Sequence, residues 1–444
     1  MSVDFSSLQS DMNRKTILVL AYSISPIRGS EYSVGWNYVR EMSKDHNLII
    51  LFGLAGDHMG DIAEVTSSSI CQSLPNVEWV AVRPNWMAKL LNWCNRKNIF
   101  TYSFYLAYRA WHRQAYLMAR ILVGSRSIDV IHYLCPIGFR EPGYLWKINK
   151  PYIWGPIGGI ENRSTRLAIA KGPIVGLKIL FRNIINVAQF RFSPRVQAAF
   201  KHTNLILSAT SGIQQEISNI YNIETVLLAE NAITFEMLEK QKAIVVPQKS
   251  HIQIIWVGRI DEGKSLDILL KALSLVNSKN WRLSVLGDGP LMNSHIKLAN
   301  KLNIGNSIEW VGKVSRRSMS DFYSRAHIHV ISSLLEANTT VIWEAMSFGL
   351  PTVALDHFGM HDTICEKCGC KINVGDSLKE IANEMAAHLN RLIENPTLIT
   401  KLSIGVLECS KKYTWEKRRS VWNNCYDLAI SRWSSNIDRV NFED

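Results

Sequence analysis

Two basic residues lie in a short loop between a predicted strand and a predicted helix. HIQIIWVG (251–258) is an apolar run typical of a buried strand, and LDILLKALSLV (266–276) has helical periodicity. Arg259 and Lys264 lie between them. In a parallel sheet such a loop lies at the carboxyl edge of the strand, where the free N–H groups of the next helix attract anions. The two cations therefore suit a diphosphate, and two solvated surface cations are the alternative.

Two carboxylates flank the start of another predicted helix. Glu336 ends a strand region, and Glu344 lies in the early turns of a helix that we expect Thr340 to cap and Gly349 to end. A carboxylate accepts two hydroxyl hydrogen bonds at once, so both side chains suit a ribose diol or a sugar diol. Taken singly, Glu336 could be a loop carboxylate and Glu344 a charge that favours the helix dipole. Their joint position at a helix start favours binding.

The segments that contain these residues resemble a known family. VGRIDEGKSLDILLKAL, LGDGP, EWVGKVS and EANTTVIWEAMSFGLPTVA follow one another in this order. Together they resemble the retaining GT-B glycosyltransferases, which include sucrose-phosphate synthases and bacterial mannosyl- and glucosyltransferases. The resemblance covers most of the second predicted domain. It implies a nucleotide diphosphate sugar as donor and transfer with retention of the anomeric configuration.

The resemblance also implies roles for single residues. Arg259 and Lys264 would hold the diphosphate, Glu344 the ribose, and Glu336, as a catalytic contact, the donor sugar. Further contacts to the base or the phosphates would come from Gly312, Val314, Asn338, Thr339 and Thr340. Two departures stand out. Ala-Asn-Thr (337–339) replaces the Gly-Phe-Gly that the family often has, and Glu-Asn-Ala (230–232) replaces its Pro-Asn-Gly. The donor-sugar contacts and the interdomain turn are therefore expected to differ.

The first half of the chain contains fewer recognisable residues. Gly29, in a loop after the first predicted strand, resembles the glycine-bearing loop that lies near the donor phosphates in this family. His132 ends the predicted strand IDVIH, and the resemblance implies an active-site residue there. We therefore predict His132 as a catalytic contact, with a satisfied polar residue at a strand end as the alternative. GPIGG (155–159) and FREPGYLW (139–146) resemble a bacterial exopolysaccharide subgroup.

Strand and helix patterns alternate almost from end to end, which predicts βαβ units. The pattern begins at TILVLAY (16–22) and restarts after a polar linker at 231–250. We predict an α/β protein of the GT-B class, with two Rossmann-like, doubly wound parallel-sheet domains facing a cleft. The predicted ranges are 14–234 for an acceptor-side domain, 250–410 for a nucleotide-sugar domain and 411–440 for a helix that packs back toward the first domain.

Composition and charge limit the partners. The 444 residues carry a net charge of +12, which favours anionic partners, although a general solubility charge is the alternative. Eight cysteines without a secretion signal indicate reduced thiols. Cys365, Cys368 and Cys370 lack a second Cys-x-x-Cys, and the chain has no Asp-x-Asp. We therefore predict no metal and no cofactor.

Residues 83–123 and 178–195 interleave Trp, Tyr and Phe with Arg and Lys. Such a mixture suits an anionic membrane surface, and ordinary amphipathic packing is the alternative. No nucleic-acid-binding motif appears, so we predict no nucleic-acid partner. The sequence has no apolar run long enough to span a bilayer, and residues 1–13 are polar. These features predict a cytoplasmic protein, with peripheral attachment to the inner face of the cell membrane as a hypothesis.

The sequence thus predicts a metal-independent, retaining hexosyltransferase. It would act on a saccharide or lipid-linked acceptor, in surface polysaccharide synthesis. Three alternatives remain open. These are a GT-B enzyme of another class, such as a nucleotide-sugar epimerase or a phosphorylase, a non-catalytic sugar-binding protein, and a nucleic-acid binder that would account for the charge.

Overall fold

The structure is a computed structural model. It describes residues 14–26, 31–53, 71, 73–97, 99–100, 103–239, 241–247, 250–334, 336, 339–375 and 377–442. The described chain divides into two compact units. The first comprises the residues up to 160, 186–230 and the residues from 415 on, and the second comprises 161–185 and 231–414. The segment 161–185 therefore groups with the second unit, although it lies inside the first predicted domain range.

The described residues form thirteen strands. In chain order they are β1 (Thr16–Ala21), β2 (Asn47–Gly53), β3 (Val77–Val82), β4 (Val130–Cys135), β5 (Tyr152–Ile157), β6 (Leu205–Ser208), β7 (Val226–Leu227), β8 (Ile252–Val257), β9 (Trp281–Leu286), β10 (Ile308–Gly312), β11 (Ile328–Ile331), β12 (Thr352–Leu355) and β13 (Gly369–Ile372).

The α-helices of the described chain connect and cover these strands. They are α1 (Glu31–Met42), α2 (Trp86–Arg96), α3 (Ser103–Ser125), α4 (Thr165–Lys171), α5 (Pro173–Phe192), α6 (Pro194–His202), α7 (Ser211–Tyr221), α8 (Phe235–Glu239), α9 (Leu266–Leu275), α10 (Met292–Lys301), α11 (Arg316–Arg325), α12 (Thr340–Ser347), α13 (Phe358–Thr363), α14 (Leu378–Glu394), α15 (Pro396–Ser410) and α16 (Trp415–Phe442).

The first unit is built on a parallel sheet in the order β3-β2-β1-β4-β5-β6-β7. β1 and β4 are mostly apolar and, apart from Thr16, buried, and they lie in the middle of the sheet, as expected for strands covered on both faces. The C-terminal helix α16 contacts α1 and strands β4, β5 and β6. Its Trp422 and Tyr426 are buried there.

The second unit is built on a parallel sheet in the order β10-β9-β8-β11-β12-β13. α9 buries Leu266, Ile268, Leu269 and Leu270 in the main core of this unit, which also contains Trp256. Chain order reverses between β8 and β11, which pair in parallel. Ligands of doubly wound sheets bind at the carboxyl ends of the strands at such a reversal. The two doubly wound parallel sheets confirm the predicted fold class.

Candidate functional site

The strand order of the second unit brings the two sets of predicted donor residues to one sheet edge. The loop after β8 contains Arg259 and Lys264, and the segment after β11 contains Glu336. Since β8 and β11 are parallel neighbours, their carboxyl ends lie side by side. Residues more than seventy positions apart in the chain thus meet where a doubly wound sheet binds its ligands.

The loop after β8 is held by its own hydrogen bonds. The Asp261 carboxylate accepts the backbone N–H groups of Gly263 at 3.0 Å and Lys264 at 3.1 Å. The Lys264 carbonyl accepts the Ser332 hydroxyl at 3.0 Å, and that hydroxyl in turn accepts the Trp256 indole N–H at 3.0 Å. The loop is therefore tied both to itself and to the end of β11.

Lys264 forms an ion pair with Glu336. Their side chains keep 23% and 14% of their surface exposed, so both groups can reach a ligand. Burial lowers the pKa of Lys264 to about 8, because the ammonium loses hydration, and the Asp261 charge opposes this shift. Burial and the Lys264 charge together lower the pKa of His329 to about 3, so this neighbouring imidazole is neutral at pH 7. The pair is a cation and a carboxylate that a ligand with phosphate and hydroxyl groups can engage together.

Arg259 has a different environment. Its side chain is 72% exposed and lies 3.6 Å from Asp261. Arg259 is therefore a projecting cation beside the more enclosed Lys264. Because a guanidinium binds phosphate oxygens in bidentate fashion, this side chain suits a phosphate ligand.

The LGDGP segment after β9 packs directly on the loop after β8. A Cβ added at Gly287, where φ is +136°, would lie 1.8 Å from the Gly258 carbonyl oxygen. A Cβ at Gly289 would lie 2.3 Å from the Ile260 carbonyl oxygen. The Ile260 N–H donates to the Asp288 carbonyl at 3.0 Å. Both glycines thus permit a close backbone contact that supports the Arg259 loop.

Glu344 is oriented by a buried phenol. The Tyr323 hydroxyl donates to Glu344 Oε2 at 3.0 Å. Burial and the Glu344 charge raise the pKa of Tyr323, so the phenol stays protonated. Helix α12 begins at Thr340, and Thr339 is its N-cap, with extended backbone and no side-chain capping bond. The predicted cap at Thr340 is therefore wrong by one residue, because Thr340 already has helical backbone.

Gly312 and Val314 lie at the end of β10. Gly312 adopts φ +77°, which favours glycine, and its carbonyl accepts the Gly287 N–H at 2.8 Å. Val314 is half-buried and packs against the cluster that contains Tyr323 and Ala345. It thus lies near the helices that contribute Tyr323 and Glu344. Helix α11 is capped by the Ser315 hydroxyl, which accepts the Ser318 N–H at 3.3 Å.

Two predicted donor residues lie outside the described part of the chain. These are Gly29 and Asn338. Their assigned contacts stay predictions.

His132 does not have the environment predicted for a catalytic contact. It lies inside β4 with no exposed surface. Its Nε2 donates to the Gly155 carbonyl at 2.9 Å, and its Nδ1 lies 3.1 Å from the Tyr426 hydroxyl and 3.3 Å from the Tyr38 hydroxyl. Burial lowers the pKa of His132 to about 4, although the hydrogen bond to the Gly155 carbonyl opposes this shift. The ring is therefore neutral. Both nitrogens are occupied within the first unit, where the ring joins α1, β4 and α16. This is the satisfied strand residue that the sequence left as an alternative.

Two cations near the loop after β8 were missed at the sequence level. Lys171, at the end of α4, lies 3.1 Å from Asp267, and its ammonium donates to the Ser265 hydroxyl at 2.8 Å. Arg163 lies beside the same loop, where a Cβ added at Gly263 would come within 3.9 Å of its Nη2. Both belong to the segment 161–185, which groups with the second unit. Because about a hundred residues separate them from the loop, no local pattern could have identified them.

Part of the second unit is similar to a known protein family. Residues 238–403 match the family model described as glycosyl transferases group 1. An uncharacterized glycosyltransferase of Methanocaldococcus jannaschii is 30% identical over 165 residues, which cover 36% of this chain and 38% of the relative. The amylovoran biosynthesis glycosyltransferase AmsD of Erwinia amylovora is 24% identical over 180 residues, which cover 39% of this chain and 47% of the relative. The matches span less than half the length of both relatives.

Structural similarity extends over most of the chain. The apo form of the lipopolysaccharide outer core galactosyltransferase WaaB superposes with a TM-score of 0.63 at 15% identity. The superposition covers 92% of this chain and 98% of that one. At this identity the similarity shows the fold, which is the two-unit α/β architecture of GT-B proteins. Residues 238–403 are thus similar to the group 1 glycosyltransferases, and the chain has the fold of GT-B proteins.

Proposed function

We propose that this chain transfers a hexosyl group from a nucleotide diphosphate sugar to a saccharide or lipid-linked acceptor, with retention and without a metal ion. The main support is the Lys264–Glu336 pair at the strand-order reversal of the second unit. Arg259 and the N-terminus of α12 add positive potential to the same edge. A sheet edge with two cations and two carboxylates fits a ligand that combines a diphosphate with sugar hydroxyls.

The proposed reaction needs stabilisation of the leaving group more than an enzyme nucleophile. When the bond between the anomeric carbon and the diphosphate oxygen breaks, its electron pair stays on that oxygen. Lys264 and Arg259 neutralise the new charge, as preorganised cations do in a partly enclosed site. The acceptor oxygen forms its bond on the face that the diphosphate leaves, and its proton passes to the departing oxygen. Glu336 holds the donor sugar, and Glu344 holds the ribose.

A role in surface polysaccharide synthesis is part of the proposal. Its support is the similarity to AmsD, a glycosyltransferase named for the biosynthesis of amylovoran. The donor is identified by thermal shift against a panel of nucleotide diphosphate sugars, because a bound ligand stabilises the native state. Transfer to oligosaccharide and lipid-linked acceptors is then followed by mass spectrometry, and the anomeric configuration of the product by NMR. Epimerised or phosphorolysed donor, or binding without turnover, would contradict the proposed transfer.

We expect chelation of divalent metals to leave transfer intact. Arg259, Lys264 and the N-terminus of α12 would neutralise the diphosphate charge, so no metal ion is needed to bind the donor. Initial rates are compared with and without EDTA, and with Mg²⁺ or Mn²⁺ added back. Abolition by EDTA with rescue by Mn²⁺ would overturn this part of the proposal.

We expect nucleotide binding to weaken as pH rises through 8. The Lys264 pKa is about 8 in the free protein, and a bound diphosphate favours the charged ammonium and raises that pKa. The complex therefore holds more protons than the free protein above pH 8, and affinity falls by about tenfold between pH 7 and pH 9. Isothermal titration calorimetry of UDP or GDP binding at several pH values measures this. Lys264→Arg is the control, since its charge is constant and its affinity should stay nearly flat. An equally steep profile in Lys264→Arg would assign the effect to another group.

We also propose that α2 docks on an anionic membrane surface. Among its residues Trp86, Met87, Leu90 and Trp93 are exposed, with exposures from 42% to 75%, and only Ala88 is buried. The exposed cations Lys89, Arg96 and Lys97 lie on or directly after the same helix. Exposed tryptophan combined with basic side chains suits the interface of an anionic bilayer. Among the described residues, no helix combines the length and the apolar character needed to cross a membrane.

Wild-type protein is expected to float with anionic vesicles at low salt and to be released by high salt. Each basic residue near the surface contributes about 1 kcal/mol, which salt screens. Replacing Trp86 and Trp93 by Ser and Lys89, Arg96 and Lys97 by Gln should abolish flotation while circular dichroism stays unchanged.

The matched control replaces Leu275 and Ile404 by Ser, since both are exposed apolar residues of the second unit. This control should float as wild type does. Equal binding to neutral vesicles, or none to anionic ones, would leave α2 as a helix that only packs against α3.

A further inference from the structure

Three thiols come together in the second unit. Cys365 Sγ lies 3.5 Å from Cys368 Sγ and 3.5 Å from Cys409 Sγ, and all three sulfurs lie within 4.8 Å of one another. The sequence pointed to Cys370 as the third member. The structure instead supplies Cys409 from α15, forty-four residues beyond Cys365. No disulfide joins any of the three.

The Cys365–Cys368 turn has a well-defined backbone. The N–H groups of Cys368 and Gly369 donate to the Cys365 carbonyl at 2.9 and 3.0 Å. The Cys365 N–H donates to Cys368 Sγ at 3.3 Å. These hydrogen bonds fix the Cys368 sulfur beside Cys365.

A glycine allows the turn to approach the helix that contributes the third thiol. A Cβ added at Gly405 would lie 1.8 Å from the Lys367 carbonyl oxygen. Glycine inside a helix is less favourable than alanine, so its presence in α15 has a stability cost that the close approach offsets. Gly405 precedes Cys409 by one helical turn, so the contact places Cys409 beside the turn.

We propose that Cys365, Cys368 and Cys409 bind one thiophilic d¹⁰ cation, Zn²⁺ by preference. Three ligands at the usual Zn–S distance of about 2.3 Å have sulfurs about 3.8 Å apart in a tetrahedral site. The observed separations, from 3.5 Å to at most 4.8 Å, bracket this value. Each thiol loses its proton to solvent as its sulfur binds the metal, so binding releases up to three protons. Because Cys365 is exposed, water can occupy a fourth position.

The site would join the Cys365–Cys368 turn to α15, and the backbone between them runs through β13 and α14. Neither segment contains a residue of the proposed donor site. We therefore expect the metal to stabilise the second unit and not to take part in transfer.

The test titrates reduced, chelator-treated protein with Cd²⁺ and follows the ultraviolet thiolate-to-metal absorption, with Zn²⁺ as competitor. One equivalent should saturate the signal, and a large excess of Zn²⁺ should lower it by competition for the same thiolates. Cys409→Ser should lower the Zn²⁺ affinity at least 100-fold and reduce the absorption by about one third, since one of three thiolates is lost. Cys370→Ser is the matched control, because Cys370 is a neighbouring cysteine outside the group, and it should behave as wild type.

Thermal unfolding provides a second measurement, which does not depend on the strength of the absorption signal. Zn²⁺ should raise the Tm of wild type and of Cys370→Ser but not of Cys409→Ser. Equal titrations in all three proteins would overturn the proposal. The proposal would also be overturned if the protein took up no metal but lost two thiols and the mass of two hydrogens. The cluster would then be a site of disulfide formation. The EDTA experiment on transfer is also run in Cys409→Ser, so that a loss of stability is not mistaken for a catalytic metal.

Discussion

Lys264→Met is expected to lower kcat/KM for the donor about 30- to 150-fold, or roughly 2–3 kcal/mol, the range for a lost charge-assisted contact. Two losses combine in this variant. The leaving diphosphate loses its more enclosed cation, and Glu336 loses the ammonium with which it pairs. Because the charge on the leaving oxygen is largest in the transition state, kcat should fall along with donor affinity. Steady-state kinetics with the identified donor measure the change in kcat and kcat/KM, and calorimetry of the free nucleoside diphosphate measures the change in affinity.

Two further variants define the role of charge and enclosure. Lys264→Arg keeps the charge and should recover part of the loss. Arg259→Met removes a cation that is 72% exposed, and we expect a smaller loss of about 3- to 10-fold, since water screens an exposed charge more strongly. Normal kinetics in Lys264→Met, or a larger effect at Arg259 than at Lys264, would show that the diphosphate binds elsewhere.

Glu336→Gln and Glu344→Gln are expected to separate transfer from nucleotide binding. Glu344 accepts the Tyr323 hydroxyl and is assigned to the ribose, so Glu344→Gln should weaken free UDP or GDP about tenfold. Glu336 contacts Lys264 and is assigned to the donor sugar. Glu336→Gln should therefore reduce kcat about 100-fold while the Kd of the free nucleotide changes less than threefold. Equal weakening of free nucleotide by both variants would refute this division.

Tyr323→Phe offers a conservative control for Glu344. It retains the carboxylate and the packing but removes the hydrogen bond that orients Oε2. We expect a smaller loss of nucleotide affinity than in Glu344→Gln, with kcat nearly unchanged. If Tyr323→Phe lost as much nucleotide affinity as Glu344→Gln, the Tyr323 hydroxyl itself would contact the nucleotide.

Much of the fold and part of the site follow from local patterns. Apolar runs such as 251–258 and the helical period of 266–276 are properties of neighbouring residues, and the structure has β8 and α9 there. The loop residues Arg259 and Lys264 are therefore placed at a strand-to-helix connection by sequence alone. The helix after Glu336 was also identified locally, although its cap is Thr339 and not Thr340.

The prediction for His132 shows where local pattern stops being informative. A histidine near a strand end has the same sequence pattern whether it faces a ligand or the interior. The decision depends on Tyr38 and Tyr426, from α1 and α16, which surround the ring. Burial among distant aromatic residues removes the exposed nitrogen that catalysis would need.

The sequence by itself determined the two-domain α/β class and the residues suited to a diphosphate and to sugar hydroxyls, because these depend on residue type and near neighbours. Only the tertiary structure decided which of them meet. Strand order places β8 beside β11 and so brings Lys264 to Glu336. The segment 161–185 groups with the second unit, and it places Arg163 and Lys171 beside the loop after β8. Packing of α15 replaces Cys370 by Cys409 in the thiol cluster. Each of these contacts joins residues far apart in the chain, and strand pairing and close packing, which act through space, determine them.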